Sequence, residues 1–224
     1  MIFYDLETTS LYNAKIIEIA AYDSINDTYF HELVHPDCVI PPESIAIHHI
    51  TNAKVKDCPV IKEILPRFVT FCGINNILVA HNNDRFDKIV LQAEFITNDL
   101  QIPDWTFVDT LKIARTLLPN LQSHKLDMLK NHYNINIGTA HHALDDVKNM
   151  YQIYLQIKQD KTDDEMIKIS NEYIIKHIPF GKYKGTKISE LPLNYIDWLL
   201  NNLDKERNED LLKSLYLSKN EISI

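Results

Sequence analysis

A chain of 224 residues, 45% hydrophobic and 24% charged, has the length for one sizeable domain with a small appendage and an ordinary globular composition. It contains no apolar run near the ~20 residues that span a bilayer and no signal-peptide pattern, and its three cysteines lack metal-ligand spacing, so a cytoplasmic protein with free thiols and no membrane partner is expected. The net charge of −8 argues against coating nucleic acid through bulk electrostatics, while leaving room for an enzyme that grips it through local patches.

Three β-rich runs open the chain, residues 1–6, 14–22 and 27–34, and their short polar breaks predict an antiparallel meander. The first run reaches its acids within seven residues, which is expected to leave no room for a cleaved leader. Pro41-Pro42 precedes a short helical piece, ESIAIHH. Pro59 suits the first turn of a helix in which Val60, Ile61, Ile64 and Phe68 share a face, with a kink expected at Pro66. ILVAH at 77–81 reads as a brief buried strand, 87–97 as a helix, 106–109 as a strand running into TLKIARTLL, and KLDMLKNHY as a further helix. From Ala140 to about Lys158 the spacing of Leu144, Val147, Met150, Tyr151, Tyr154 and Leu155 predicts a long amphipathic helix. Strands first, then alternating helix and strand, give an α/β domain over residues 1–158 with a mixed five-stranded sheet flanked by helices.

Residues 159–175 are polar and are expected to form a hinge, with Thr162 and Glu165 as a capping box for a short helix. Residues 176–224 are expected to form a small module: a hairpin turning at Gly181 and Gly185, then helices near 192–203 and 208–219. Lys176, Lys182, Lys184 and Lys187 fall within twelve residues that contain no acid, interleaved with Phe180 and Tyr183. Such a stretch serves either as a solvated hairpin or as a contact with a phosphate backbone, Lys182 and Lys184 being its candidate substrate-binding residues. Trp198, Leu199 and Leu200 are expected in the module's own core.

Chemistry concentrates in three strings, FYDLETTS at 3–10, HNNDRFD at 81–87 and HHALDD at 141–146. Residues two apart on a strand share a face, so Asp5 and Glu7 present adjacent carboxylates. Asp87 follows a strand and opens a helix, with Asp84 as its rival. Asp146 lies on the long helix, with Asp145 as its rival. His141 and His142 both precede it, and spacing does not choose between them as a base. Two unit charges about 4 Å apart repel by roughly 4 kcal/mol even at an effective dielectric of about 20. Four gathered carboxylates therefore point to divalent cations between them.

The three strings, in this order and spacing, resemble the DEDDh branch of the DnaQ-like 3′–5′ exonucleases over roughly residues 1–158. AIHHIT at 46–51 and VDTLKIARTLLP at 108–119 extend the resemblance, and PFGKYKGTKISELP followed by YIDWLLNNLD resembles the tail of a bacterial member. There is one departure: three residues separate His81-Asn82 from Phe86-Asp87, where bacterial relatives commonly have two. The resemblance implies a ribonuclease H-like fold and release of nucleoside 5′-monophosphates from DNA 3′ ends, single-stranded or duplex. It implies two Mg²⁺ ions, with Mn²⁺ as a substitute, held by Asp5, Glu7, Asp87 and Asp146, and His141 as the base. Backbone groups near Leu6 and Thr8 would bind the terminal sugar. Leu11 is either a wedge against the last base or a loop anchor. A homodimer is a candidate assembly. Alternatives are an exoribonuclease, a polymerase proofreading subunit, or a non-catalytic nucleic-acid adaptor.

Overall fold

The computed structural model describes residues 1–135, 143–205 and 208–222. The opening meander forms as expected: β1 (Ile2–Thr8), β2 (Ile16–Asp23) and β3 (Thr28–Leu33) pair antiparallel in sequence order. Two short helices follow, α1 (Pro42–His48) and α2 (Asn52–Val55), then α3 (Ile61–Cys72). β4 (Ile77–Ala80) lies parallel to β1, and after α4 (Asp87–Thr97), β5 (Thr106–Asp109) lies parallel to β4. The sheet order is β3-β2-β1-β4-β5, so β1 is central and β2 beside it is buried along its whole length. Helices α5 (Thr110–Leu117), α6 (Leu126–Tyr133), α7 (Ala143–Lys158) and α8 (Asp163–Asn171) complete this part of the chain.

Strand alternation divides β1 between two cores. Ile2, Tyr4 and Leu6 face one that includes Ile64, Phe68, Leu91 and Phe95 from α3 and α4. Phe3 faces the other, where Val147, Met150 and Tyr154 of α7 pack, its ring meeting Tyr151 and Tyr154 at 5.0 and 5.1 Å between centroids. Each such buried side chain contributes about 1.5–3 kcal/mol, so α7 is held against β1 by several of them together. Asp5 and Glu7 continue the Phe3 face toward the strand end and are thereby aimed at the same helix.

Several local expectations are corrected. α3 begins at Ile61, because the Pro59 carbonyl accepts the His35 N–H at 2.9 Å and keeps the chain extended. The expected beginning of the long helix at Ala140 lies outside the described residues. Most of the expected hinge at 159–175 is α8, capped reciprocally: the Glu165 carboxylate accepts the Thr162 N–H at 2.7 Å, and Thr162 Oγ1 accepts the Glu165 N–H at 3.2 Å. Ser170 Oγ accepts the Asp109 N–H at 2.9 Å, tying α8 to the end of β5, so the two compact units are Met1–Asn171 and Glu172–Ile224.

In the second unit the expected hairpin is a single bridge between His177 and Lys187, followed by a 3₁₀ turn, Ile188–Glu190. Helices α9 (Leu193–Asn202) and α10 (Glu209–Ile222) follow. Ile178, Ile188, Leu191, Ile196, Leu199, Leu211 and Leu215 make its core. Trp198 does not join them: it is 55% exposed, since Ile196 and Leu199 take the inward face of α9 and Trp198 lies off that face. No described helix is long and apolar enough to cross a membrane.

Candidate active site

The end of β1 and the first turns of α7 bring Asp5, Glu7 and Asp146 together, with a carboxylate oxygen of each lying within 4.8 Å of the others. Asp146 joins this group, while Asp145 lies 3.9 Å from Lys148. Asp146, Met150 and Tyr154 are four apart, so the stripe that packs on Phe3 also carries the carboxylate.

Asp87 is the buried first residue of α4, and its charge bears on Asp5 more strongly than that of any other acid. Asp84 instead pairs with Lys112 and with Lys88. The bend that separates them is built by buried and half-buried hydrogen bonds. The Tyr4 hydroxyl donates to Asn83 Oδ1 at 2.6 Å, Asn83 Nδ2 donates to the Val108 carbonyl at 3.0 Å, and Asp109 accepts the Asn82 and Leu111 N–H groups at 3.0 and 2.8 Å. Asn82 takes the left-handed conformation with φ 65°, which asparagine tolerates better than most residues.

Crowding appears in the acids' affinity for protons. Burial, then Glu18, Asp146 and Asp87, push Glu7 up to about 8. Burial and the neighbouring Asp87, Glu7 and Asp146 hold Asp5 well above the usual carboxylate range. Burial pushes Asp87 up to about 7, with its own N–H and that of Leu6 pulling the other way. An all-oxygen donor set whose charges repel in the absence of a cation fits a hard divalent ion, and one that keeps some of its waters.

Glu18 was not singled out from the sequence. It stands opposite Glu7 in the β1–β2 register and is almost fully buried. Its carboxylate meets His31 Nε2 at 2.7 Å and accepts the Ala143 N–H, the first of α7, at 3.2 Å. The available signal was an acid in the middle of an otherwise apolar strand, IIEIAAY. His141 and the rival His142 lie outside the described residues. The Leu6 side chain is in the first core, leaving only its backbone for the site, and Thr8 Oγ1 donates to the Ser10 carbonyl at 3.0 Å. Leu11 is 76% exposed and Tyr12 70% exposed at the tip of the β1–β2 connection, so Leu11 does not anchor that loop. Lys182 and Lys184 belong to the second unit.

The family model described as exonuclease (RNase_T) matches residues 2–154, and a second, described as a putative quorum-sensing-regulated virulence factor, matches residues 166–203. The chain is 31% identical to exodeoxyribonuclease 10 of Escherichia coli (strain K12) over 89% of its own length and 90% of that protein. It is 32% identical to the PolC-type DNA polymerase III of Clostridium perfringens over 96% of its length but 14% of that protein. Among solved structures it is similar to exonuclease X in complex with 5′-overhanging duplex DNA, with a TM-score of 0.58 and 29% identity over 75% of this chain and 98% of that one. The nuclease domain of 3′hExo, a DEDDh family member bound to rAMP, shares the fold at a TM-score of 0.62 and 17% identity, over 71% of this chain and 91% of that one.

Proposed function

The chain belongs to the RNase_T family of exonucleases, and from that premise we propose that it trims DNA from the 3′ end, releasing nucleoside 5′-monophosphates. The observation that carries this reading is the convergence of Asp5, Glu7 and Asp146 from a strand end and a distant helix. Asp5, Glu7 and Asp146 would hold one magnesium ion, and Asp5 with Asp87 a second, manganese serving as a substitute. Bound there, the ions would supply charge stabilisation for the attacking and leaving oxygens of the phosphodiester. His141 takes the proton from the attacking water. Leu6 and Thr8 line the terminal sugar through their backbone, and Leu11 stands exposed where it can press on the last base. Lys182 and Lys184 offer the strand a further contact on the second unit.

The substrate class rests on the exodeoxyribonuclease relative and on exonuclease X with its duplex. Fold and metals serve DNA and RNA alike, since contacts to the 2′-hydroxyl decide between them. Digestion of end-labelled single-stranded DNA, blunt duplex, recessed duplex and matched RNA, with Mg²⁺ and with chelator, tests the proposal. Stepwise shortening of DNA from the 3′ end, abolished by chelator, is expected. Preference for RNA would move the protein to an exoribonuclease, and no shortening of either polymer would end the reading. The similarity to PolC-type polymerase III favours proofreading as a second role, tested by co-purification with a polymerase.

A further inference from the structure

A concavity in the first unit has the opposite electrostatic sense to the carboxylate cluster. His81 and Asn82, just beyond β4, line it together with Arg115 of α5 and with Gln122, His124 and Lys125, around a volume of about 550 Å³. None of the residues lining it is acidic. Residues 172–224 carry eight acids and eight Lys or Arg, so the whole net charge of −8 lies in the unit that contains this basic cleft. Among the described residues neither Arg115 nor Lys125 is paired with a carboxylate.

Two imidazoles of the lining are held in place by hydrogen bonds. His81 Nδ1 meets Thr110 Oγ1 at 2.9 Å, while its Nε2 is buried on the side of the His124 backbone. His124 donates from Nε2 to the Leu118 carbonyl at 2.8 Å, which fixes that ring at the rim. Burial pulls the His81 imidazole down to about 4, and the permanent positive charges of the lining are Arg115 and Lys125. The cleft is therefore furnished for an anion with several oxygens: a guanidinium fork, an ammonium, and the Asn82 and Gln122 amides to orient it.

Its place in the fold says which anion. β1 and β4 run parallel with Ile2 opposite Leu78 and Phe3 opposite Val79, and that register continued sets His81 level with Asp5. The cleft and the carboxylates thus lie at the same end of the sheet. Resting on the exonuclease reading, we propose that this cleft is a phosphate-binding subsite that takes an internal phosphodiester of the substrate strand while its 3′ end lies among the carboxylates. Phosphate contacts of this kind position a strand without reading its sequence.

The test uses the full chain and variants Arg115→Ala, Lys125→Ala and Arg115→Lys, whose exposed side chains are outside both cores. Binding of a fluorescent oligothymidylate is followed by anisotropy in EDTA, which separates it from cleavage. Arg115→Ala should weaken binding about tenfold and flatten the plot of log affinity against log salt by about 0.7, the increment for one single-strand phosphate contact. Arg115→Lys should recover part of the affinity, and in Mg²⁺ the loss should fall on KM. A single uncharged methylphosphonate linkage, moved along the strand, should reproduce the loss at one position in the parent and add nothing there in Arg115→Ala. Unchanged affinity and salt slope in both alanine variants would overturn the subsite. Competition by inorganic phosphate or thymidine monophosphate, lost in Arg115→Ala with no linkage position mattering, would overturn the strand assignment in favour of a free phosphate. Binding loss in a chain that trims no polymer would sink the exonuclease reading and leave the subsite standing.

Discussion

At the scale of single residues, the site is a set of acids held closer together than they would stand alone. Asp5→Ala and Asp146→Ala should each abolish metal-dependent shortening of a 5′-labelled oligonucleotide; near-normal trimming by either would remove that residue from the site. His141→Ala should lower the rate by about 10²–10⁴, and a larger loss in His142→Ala would transfer the role of base. The raised acids also set a pH dependence for the metal-free protein. Glu7 rises from about 4.5 to about 8 and Asp87 from about 3.8 to about 7, so between those limits the folded state binds more protons than the unfolded one. Stability then falls as pH rises through that window. In EDTA the melting temperature should decline from about pH 5 to pH 8, and Mg²⁺ should raise it most at pH 8. A flat metal-free profile would mean that the acids do not press on one another. Asp5 and Glu7 were legible from the sequence because strand alternation alone aims them together. Asp146 over Asp145 was not, because two adjacent helical residues point about 100° apart and only packing says which points inward.

At the scale of elements, the site depends on how α7 is moored to β1 and β2. Phe3 packs on its middle, and Glu18 receives the N–H of its first residue. Glu18→Ala should therefore raise the Mg²⁺ concentration needed for half-maximal trimming by about tenfold, the usual cost of losing a group that orients a metal ligand. Glu18→Gln keeps an oxygen for Ala143 and should recover most of it; an unshifted metal dependence in Glu18→Ala would confine Glu18 to stability. At the other end of the unit, Thr162→Ala removes one half of the α8 capping box and should cost about 1 kcal/mol, read by urea denaturation. That box was legible because its logic is local. The pairing of Glu18 with Ala143 spans 125 residues and has no local signature, beyond a charge where the strand should be apolar.

At the scale of the whole molecule, the two compact units each have a core, so two cooperative transitions should appear on calorimetry, with Mg²⁺ raising only the one that belongs to Met1–Asn171. A single transition shifted as a whole would mean that the units unfold together. Alternating patterns and turn residues determined the order of strands and helices, the five-stranded mixed sheet and the three acidic strings, because periodicity and chirality act over a few residues. The boundary of the units escaped that reading: the stretch 159–171 is polar enough for a hinge, yet Ser170 ties it to β5. Trp198 escaped it for a related reason, since hydrophobicity marks a residue as suited to a core without saying that the helix face leaves it room. The basic cleft around Arg115 was equally hidden, its charges being scattered between residues 81 and 125. Composition and spacing determined which groups the chain possesses and which side of each element they occupy. Only tertiary packing decided which of them meet, because contact between distant segments depends on how whole faces fit, and that is a property of no segment by itself.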